Sequence, residues 1–199
     1  EQTHVQLTYA EAEHGLPAWV QGLRMYDWAA DGKSIYYLEN NRGFFSLMKF
    51  NVEACTSELV GGLEQYTALD QISVSPDDTV ALIASSSTIP ARILTLNDER
   101  GIRIHRRSQT ENLQADQLST ARSLVWKGDD GGDVYGLYYP PIAQDDMPSG
   151  TPPLLVYVHG GPTSQRTANY DSPVQFFATR GYAVLQVNHR GSTGYGKAY

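Results

Sequence analysis

Short runs of alternating apolar and polar residues, separated by turn signals, fill the first half of the chain. The pattern predicts two sets of four strands, at residues 25–29, 34–39, 44–50 and 56–60 and then at 71–75, 79–84, 92–96 and 101–106. Trp28 aligns with Val74 at an offset of 46 residues, and Ile35 aligns with Val80 at an offset of 45. A four-stranded unit that recurs after about 40–50 residues is typical of propeller blades, and an ordinary antiparallel sandwich is the alternative.

The chain then changes its pattern. Residues 108–121 are polar and lack strand alternation, which is typical of a connector between domains. Two predicted strands, at 123–127 and 134–139, flank a glycine-rich turn and indicate a hairpin. Residues 140–153 carry five of the ten prolines and predict a surface loop.

A strand-helix-strand unit is predicted after this loop. The continuous apolar run at 154–158 predicts a strand that is buried on both faces. Ser172 looks like a helix N-cap, with Pro173 at the first helical position, and the two predict a helix over residues 174–180. A second buried strand is predicted at 182–187. Because parallel strands need such a crossover, this half is predicted to be α/β.

Composition narrows the function classes. The 199 residues are 41% hydrophobic and 19% charged, with a formal net charge of −7, which indicates a folded chain. Phosphate binding needs clustered positive charge, so nucleic acid is not expected as the main partner. No apolar run reaches the length of about 18 residues that a membrane span requires. The single cysteine, Cys55, excludes an intramolecular disulfide, and we expect no metal or cofactor. A cytoplasmic location is favoured, with periplasmic or secreted locations left open.

The tetrapeptide His159-Gly160-Gly161-Pro162 follows the predicted strand at 154–158. In α/β-hydrolases a backbone N–H from a His-Gly-Gly loop helps to form the oxyanion hole. Glycine suits this role because it lets the main chain turn sharply and approach a reacting carbonyl group closely. We expect Gly161 to be the donor, because Pro162 has no N–H. A simple turn at the end of a strand is the alternative interpretation.

Four segments of the chain carry a family resemblance. They are DGGDVYGLYYPP at residues 130–141, PLLVYVHGGPTS at 153–164, FFATRGYAV at 176–184 and NHRGSTGYG at 188–196. Together they resemble the prolyl oligopeptidase family, in particular its branch of acylaminoacyl-peptidases and dipeptidyl-peptidase-like enzymes. The resemblance covers residues 120–199 strongly and residues 1–107 more loosely.

The resemblance implies a mixed fold. Residues 1–107 would form the last blades of a partial N-terminal β-propeller, residues 108–121 a connector, and residues 122–199 the beginning of an α/β-hydrolase domain. It also implies a serine-type peptidase that cleaves short peptides through a Ser-Asp-His triad. No Gly-x-Ser-x-Gly motif occurs, so we expect the triad beyond residue 199 and expect this chain alone to be inactive. The expected partners are a short peptide substrate and the remainder of the same polypeptide, with a homo-oligomer left open.

Three side chains near the glycine loop are expected to have structural roles. The triad order in hydrolases is Ser, then Asp, then His, so neither His159 nor His189 is expected to be the catalytic base. We expect His159 to brace its loop by hydrogen bonding and His189 to cap a strand end. Arg190 is expected to pair with a buried carboxylate. Two other functions stay open: a carboxylesterase that uses the same loop, and a non-catalytic propeller binding module.

Overall fold

The computed structural model describes residues 5–17, 19–110, 113–142, 150–161 and 163–199. Within this described part the chain is mostly β-structure, with three four-stranded sheets and one α-helix. The helix has seven residues, and no helix among the described residues is long and apolar enough to cross a bilayer.

The first two sheets are antiparallel, and each follows chain order. The first contains β1 (Tyr26–Trp28), β2 (Ser34–Asn41), β3 (Phe44–Asn51) and β4 (Thr56–Leu59). The second contains β5 (Ala68–Val74), β6 (Val80–Ser86), β7 (Ile89–Asn97) and β8 (Gly101–Arg107). Every strand predicted in this region is present, and its ends differ from the prediction by at most three residues.

One apolar core joins these two sheets. Leu38 and Leu47 from the first sheet pack in the same cluster as Ile72, Leu82 and Leu94 from the second, and each of these side chains is at most 2% exposed. Burying a side chain of this size contributes about 1.5–3 kcal/mol. The shared core therefore fixes how the two four-stranded units sit against each other.

The third sheet has the strand order β11-β12-β10-β9. Its strands are β9 (Arg122–Lys127), β10 (Asp133–Tyr139), β11 (Leu154–Val158) and β12 (Ala183–Asn188). The pairs β9–β10 and β10–β12 are antiparallel, whereas β11 and β12 are parallel. The helix α1 (Ser172–Ala178) connects the two parallel strands, as the strand-helix-strand prediction required.

The prediction for the start of the helix was wrong by one residue. Asp171, and not Ser172, is the N-cap: its backbone is extended and its carboxylate accepts the N–H of Val174 at 3.3 Å. Asp171 also accepts the Gln186 side-chain amide from β12 at 2.9 Å. Because both residue types cap helices well, the local sequence did not distinguish them, and the contact with β12 favours Asp171.

The prediction that β11 is buried on both faces was also wrong. This strand lies at the edge of the sheet, and Leu154, Val156 and Val158 are 52%, 54% and 60% exposed. The interior parallel strand is β12, in which Val184 is fully buried. An apolar run predicts that a strand can be covered on both faces, but its position in the sheet decides whether it is.

The side chain of Gln175 in α1 ties the third sheet to the second. Its amide donates to the carbonyl oxygens of Ser87 and Ser119 at 2.7 and 2.8 Å, and its oxygen accepts the Ser119 N–H at 2.8 Å. Ser87 lies in the β6–β7 turn, and Ser119 lies in the predicted connector. Since this amide is 3% exposed and fully hydrogen-bonded, it holds helix, connector and second sheet in one arrangement.

Candidate active site

The predicted oxyanion loop lies at the carboxyl end of β11. Gly161 is exposed and has φ +66°, in the left-handed region that favours glycine. Among the described residues no group accepts a hydrogen bond from its N–H, and a Cβ atom built there would meet nothing within 4 Å. The amide is therefore open to an external acceptor. Pro162, the last residue of the predicted loop, lies outside the described residues.

His159 begins this loop and is held from one side by Ser192. Its Nε2 lies 2.8 Å from Ser192 Oγ, and the Ser192 hydroxyl donates to the carbonyl oxygen of His189 at 2.5 Å. Its Nδ1 lies 3.3 Å from the carbonyl oxygen of Gly160, so both ring nitrogens have a hydrogen-bond partner and the orientation of the ring is fixed. The predicted bracing of the loop by His159 thus has its partner in the loop that follows β12.

His159 and His189 also stack on each other. Their ring centroids are 4.4 Å apart with an interplanar angle of 26°. Burial lowers the pKa of His159 below its usual value, and the nearby charges of His189 and Arg166 lower it further. A protonated ring at position 159 would add charge repulsion to this stack, so we expect the packing of the loop to weaken as pH falls.

Arg190 pairs with Asp130, and the prediction of a buried partner was wrong. The guanidinium donates to both carboxylate oxygens of Asp130, which is largely exposed in the turn between β9 and β10. The Arg190 hydrogen bond lowers the pKa of Asp130 to about 2. A Cβ atom at Gly132 would lie 2.6 Å from Arg190 Nη2, so the glycines of this turn make room for the arginine.

Known proteins of similar sequence and structure are peptidases. The chain is 31% identical to a solved puromycin-hydrolyzing peptidase of Mycobacterium tuberculosis, over 97% of this chain and 29% of that chain, with a TM-score of 0.85. It is 48% identical over 58 residues to dipeptidyl aminopeptidase BIII of Pseudoxanthomonas mexicana, which is 29% of this chain and 8% of that protein. It is 26% identical over 174 residues to the uncharacterized peptidase YuxL of Bacillus subtilis, covering 86% of this chain and 26% of YuxL. No protein-family model matches the chain.

These relatives are named peptidases of one family of serine hydrolases. In sequence and structure the chain is similar to peptidases of the prolyl oligopeptidase family. It spans less than a third of the length of each of these prolyl oligopeptidase relatives.

Sequence reasoning missed one residue of the site, Asn188. It is fully buried at the end of β12, where its Oδ1 accepts the Arg166 N–H at 2.7 Å and its Nδ2 donates to the Arg166 carbonyl oxygen at 2.9 Å. Nδ2 also lies 2.8 Å from the Tyr195 hydroxyl. A buried amide must be hydrogen-bonded, so an asparagine at the end of an apolar strand was the available signal.

Among the described residues, no group of three or more His, Cys, Asp or Glu side chains could hold a metal ion.

The lowered pKa of His159 predicts a pH-dependent loop. A histidine whose pKa falls on folding stabilises the folded state above its usual pKa of about 6.5, and this contribution is lost as pH falls through the folded-state value. We expect the His159 ring proton signals to titrate with a midpoint below 6.5 in NMR spectra. A midpoint at or above 6.5 would contradict the prediction. The Ser192→Ala variant, which removes the Nε2 partner, serves as the comparison.

Proposed function

We propose that the polypeptide carrying this chain is a serine-type peptidase that cleaves short peptides, as acylaminoacyl- and dipeptidyl-peptidases do. The proposal depends on one observation: the Gly161 amide at the end of β11 is exposed and has no acceptor among the described residues. An N–H held in this way can bind the oxygen of a substrate carbonyl group as negative charge develops on it. One such donor contributes about 3–4 kcal/mol to the transition state.

The proposed mechanism places the triad elsewhere in the polypeptide. A serine would attack the scissile carbonyl carbon, a histidine would take the serine proton and pass it to the leaving amine, and an aspartate would orient that histidine. His159 is not proposed as this base, because the triad histidine follows the serine in chain order and because both ring nitrogens of His159 already have partners, Ser192 and Gly160. The role of the described residues is to aim the Gly161 amide, so we expect this chain by itself to hydrolyse nothing.

We propose the following domain layout for this function. Residues 1–107 are the last blades of a β-propeller, residues 108–121 are a connector, and residues 122–199 begin an α/β-hydrolase domain. Two four-stranded antiparallel sheets with a shared core support the first part, and a parallel strand pair joined by a helix supports the last. The exposed apolar residues Leu154, Val156 and Val158 alternate along β11 and so lie on one face of the sheet, which fits a face that another part of the polypeptide covers.

A carboxylesterase is the second candidate, because ester and amide cleavage use the same oxyanion donor. A propeller module that binds without catalysis is the third. Three reagents, applied to the complete polypeptide, distinguish the peptidase, the carboxylesterase and the binding module. They are aminoacyl-anilides, short acyl esters and a fluorophosphonate that labels activated serines.

The peptidase proposal predicts hydrolysis of aminoacyl-anilides and labelling of one serine outside this chain. A strong preference for the esters would replace it with the carboxylesterase. If a correctly folded polypeptide shows neither hydrolysis nor labelling, the non-catalytic propeller binding module is the candidate that remains. The 199-residue chain, tested in parallel, is expected to show neither activity nor labelling.

A further inference from the structure

The segment that follows the glycine loop, residues 163–168, is hydrogen-bonded at two points to β12 and to the loop after β12. Asn188 of β12 binds both the N–H and the carbonyl oxygen of Arg166. The N–H of Thr193, in the loop after β12, donates to the carbonyl oxygen of Ser164 at 3.0 Å. These contacts come from the end of β12 and the loop that follows it, and β12 pairs with β11, whose carboxyl end leads to Gly161.

A third set of contacts comes from the first sheet, through the end of β2 and the turn that leads to β3 (residues 40–43, the 40–43 turn). Asn40 Nδ2 donates to Gln165 Oε1 at 2.7 Å. The N–H of Ala168 donates to the carbonyl oxygen of Gly43 at 2.8 Å. A Cβ atom at Gly43 would lie 3.0 Å from the Arg166 carbonyl oxygen, so the two backbones approach closely.

The orientation of the Asn40 side chain is fixed by a second hydrogen bond, to Gly43. Asn40 is 4% exposed, and its Oδ1 accepts the N–H of Gly43 at 3.0 Å, which closes the turn. An N–H can only donate, so Oδ1 faces Gly43 and Nδ2 must face Gln165. One side chain thus sets both the shape of the 40–43 turn and the position of Gln165.

The Gln165 side chain has little room to move independently if Asn40 and the 40–43 turn shift. A Cβ atom at Gly194 would lie 2.1 Å from Gln165 Nε2, so the amide packs directly against the glycine backbone. The N–H of Arg42 donates to the carbonyl oxygen of Gly194 at 3.0 Å, which links the same turn to the other side of Gln165. The Gln165 side chain is therefore enclosed between the first sheet and the loop after β12.

We infer that Asn40 is a positioning residue for the candidate oxyanion loop, acting through Gln165. The inference rests on the proposed function, because it assumes that Gly161 binds a reacting carbonyl group. Gln165 lies four residues after Gly161, so a displacement of the 40–43 turn shifts the backbone that carries the donor. Since errors of about 1 Å in the position of a catalytic group cost about 100-fold in rate, one hydrogen bond between sheets is enough to matter.

The test compares Asn40→Ala with Asn41→Ala in the complete polypeptide. Asn41 is the exposed neighbour in the same strand, so its substitution is the matched control. We expect Asn40→Ala to lower kcat about 10- to 100-fold with KM changed less than about twofold, and Asn41→Ala to change neither. Gln165→Ala is expected to reproduce the loss, and it also replaces Asn40→Ala if that variant does not fold.

The double variant, Asn40→Ala with Gln165→Ala, distinguishes a positioning role from a general loss of stability. If the effect passes through the Asn40–Gln165 contact, Asn40→Ala combined with Gln165→Ala loses no more activity than either single variant. Losses that multiply, or an Asn40→Ala variant that behaves like Asn41→Ala, would overturn the inference and leave the peptidase proposal intact.

Hydrogen exchange tests the inference even if no hydrolysis is found. The amides of residues 163–168 are expected to exchange faster in Asn40→Ala than in the parent or in Asn41→Ala. Unchanged exchange would refute the positioning role. Absent hydrolysis in the parent with faster exchange in Asn40→Ala would refute the peptidase proposal alone.

Discussion

Replacing Gly161 with proline is expected to lower the kcat of the complete polypeptide about 100- to 1,000-fold. Proline has no N–H, so the substitution removes the proposed donor to the developing oxyanion; because proline fixes φ near about −65° and Gly161 has φ +66°, it also changes the backbone of the loop. The measurement is kcat and KM on an aminoacyl-anilide. Because the donor acts mainly in the transition state, KM is expected to change much less than kcat.

Gly161→Ala is the control for this prediction. Alanine keeps the N–H, and a Cβ atom at this position meets nothing within 4 Å. The left-handed φ of +66° costs a non-glycine residue about 1–2 kcal/mol, so a moderate effect on stability is expected. If proline and alanine lower kcat equally, the amide of Gly161 is not the donor.

Truncating Leu38 to alanine is expected to destabilise the first two sheets by about 2–5 kcal/mol. Leu38 is completely buried in β2, within the core that the two sheets share, and its removal leaves a cavity between them. Hydrogen exchange by mass spectrometry is the measurement. The protected amides of both β2 and β6 are expected to exchange about 30-fold faster or more.

Leu59→Ala is the matched control, because Leu59 is a leucine in β4 that is 62% exposed. Its substitution is expected to change stability by less than about 0.5 kcal/mol. Faster exchange confined to β2 in Leu38→Ala, with β6 unchanged, would show that the two sheets unfold independently and do not share a cooperative core.

The sequence predicted the strands well because strand formation follows local patterns. Alternating apolar residues and turn residues lie next to each other along the chain, so β2, β3 and β11 begin at the residues that the pattern indicated. The hairpin of β9 and β10 was found for the same reason. The position of the glycine loop at the end of a strand also follows from neighbouring residues.

The site contacts were less predictable, because they join distant parts of the chain. Arg190 was expected to pair with a carboxylate, but its partner is the exposed Asp130, 60 residues away. His159 was expected to brace its loop, yet nothing in the local sequence indicated that Ser192 would be its partner. Asn188 appeared only as the first residue of a family-like segment and was not identified as a residue of the site.

The amino-acid sequence by itself determined the two four-stranded units, the strand-helix-strand unit and the exposed glycine turn, since each depends on residues within a few positions of one another. Only the tertiary structure decided that β11 lies at a sheet edge, that Asp171 caps the helix, and that Asn40 reaches Gln165 across 125 residues. The physical reason is that such contacts depend on which sheets pack together, and a local pattern of apolar and polar residues does not encode that choice.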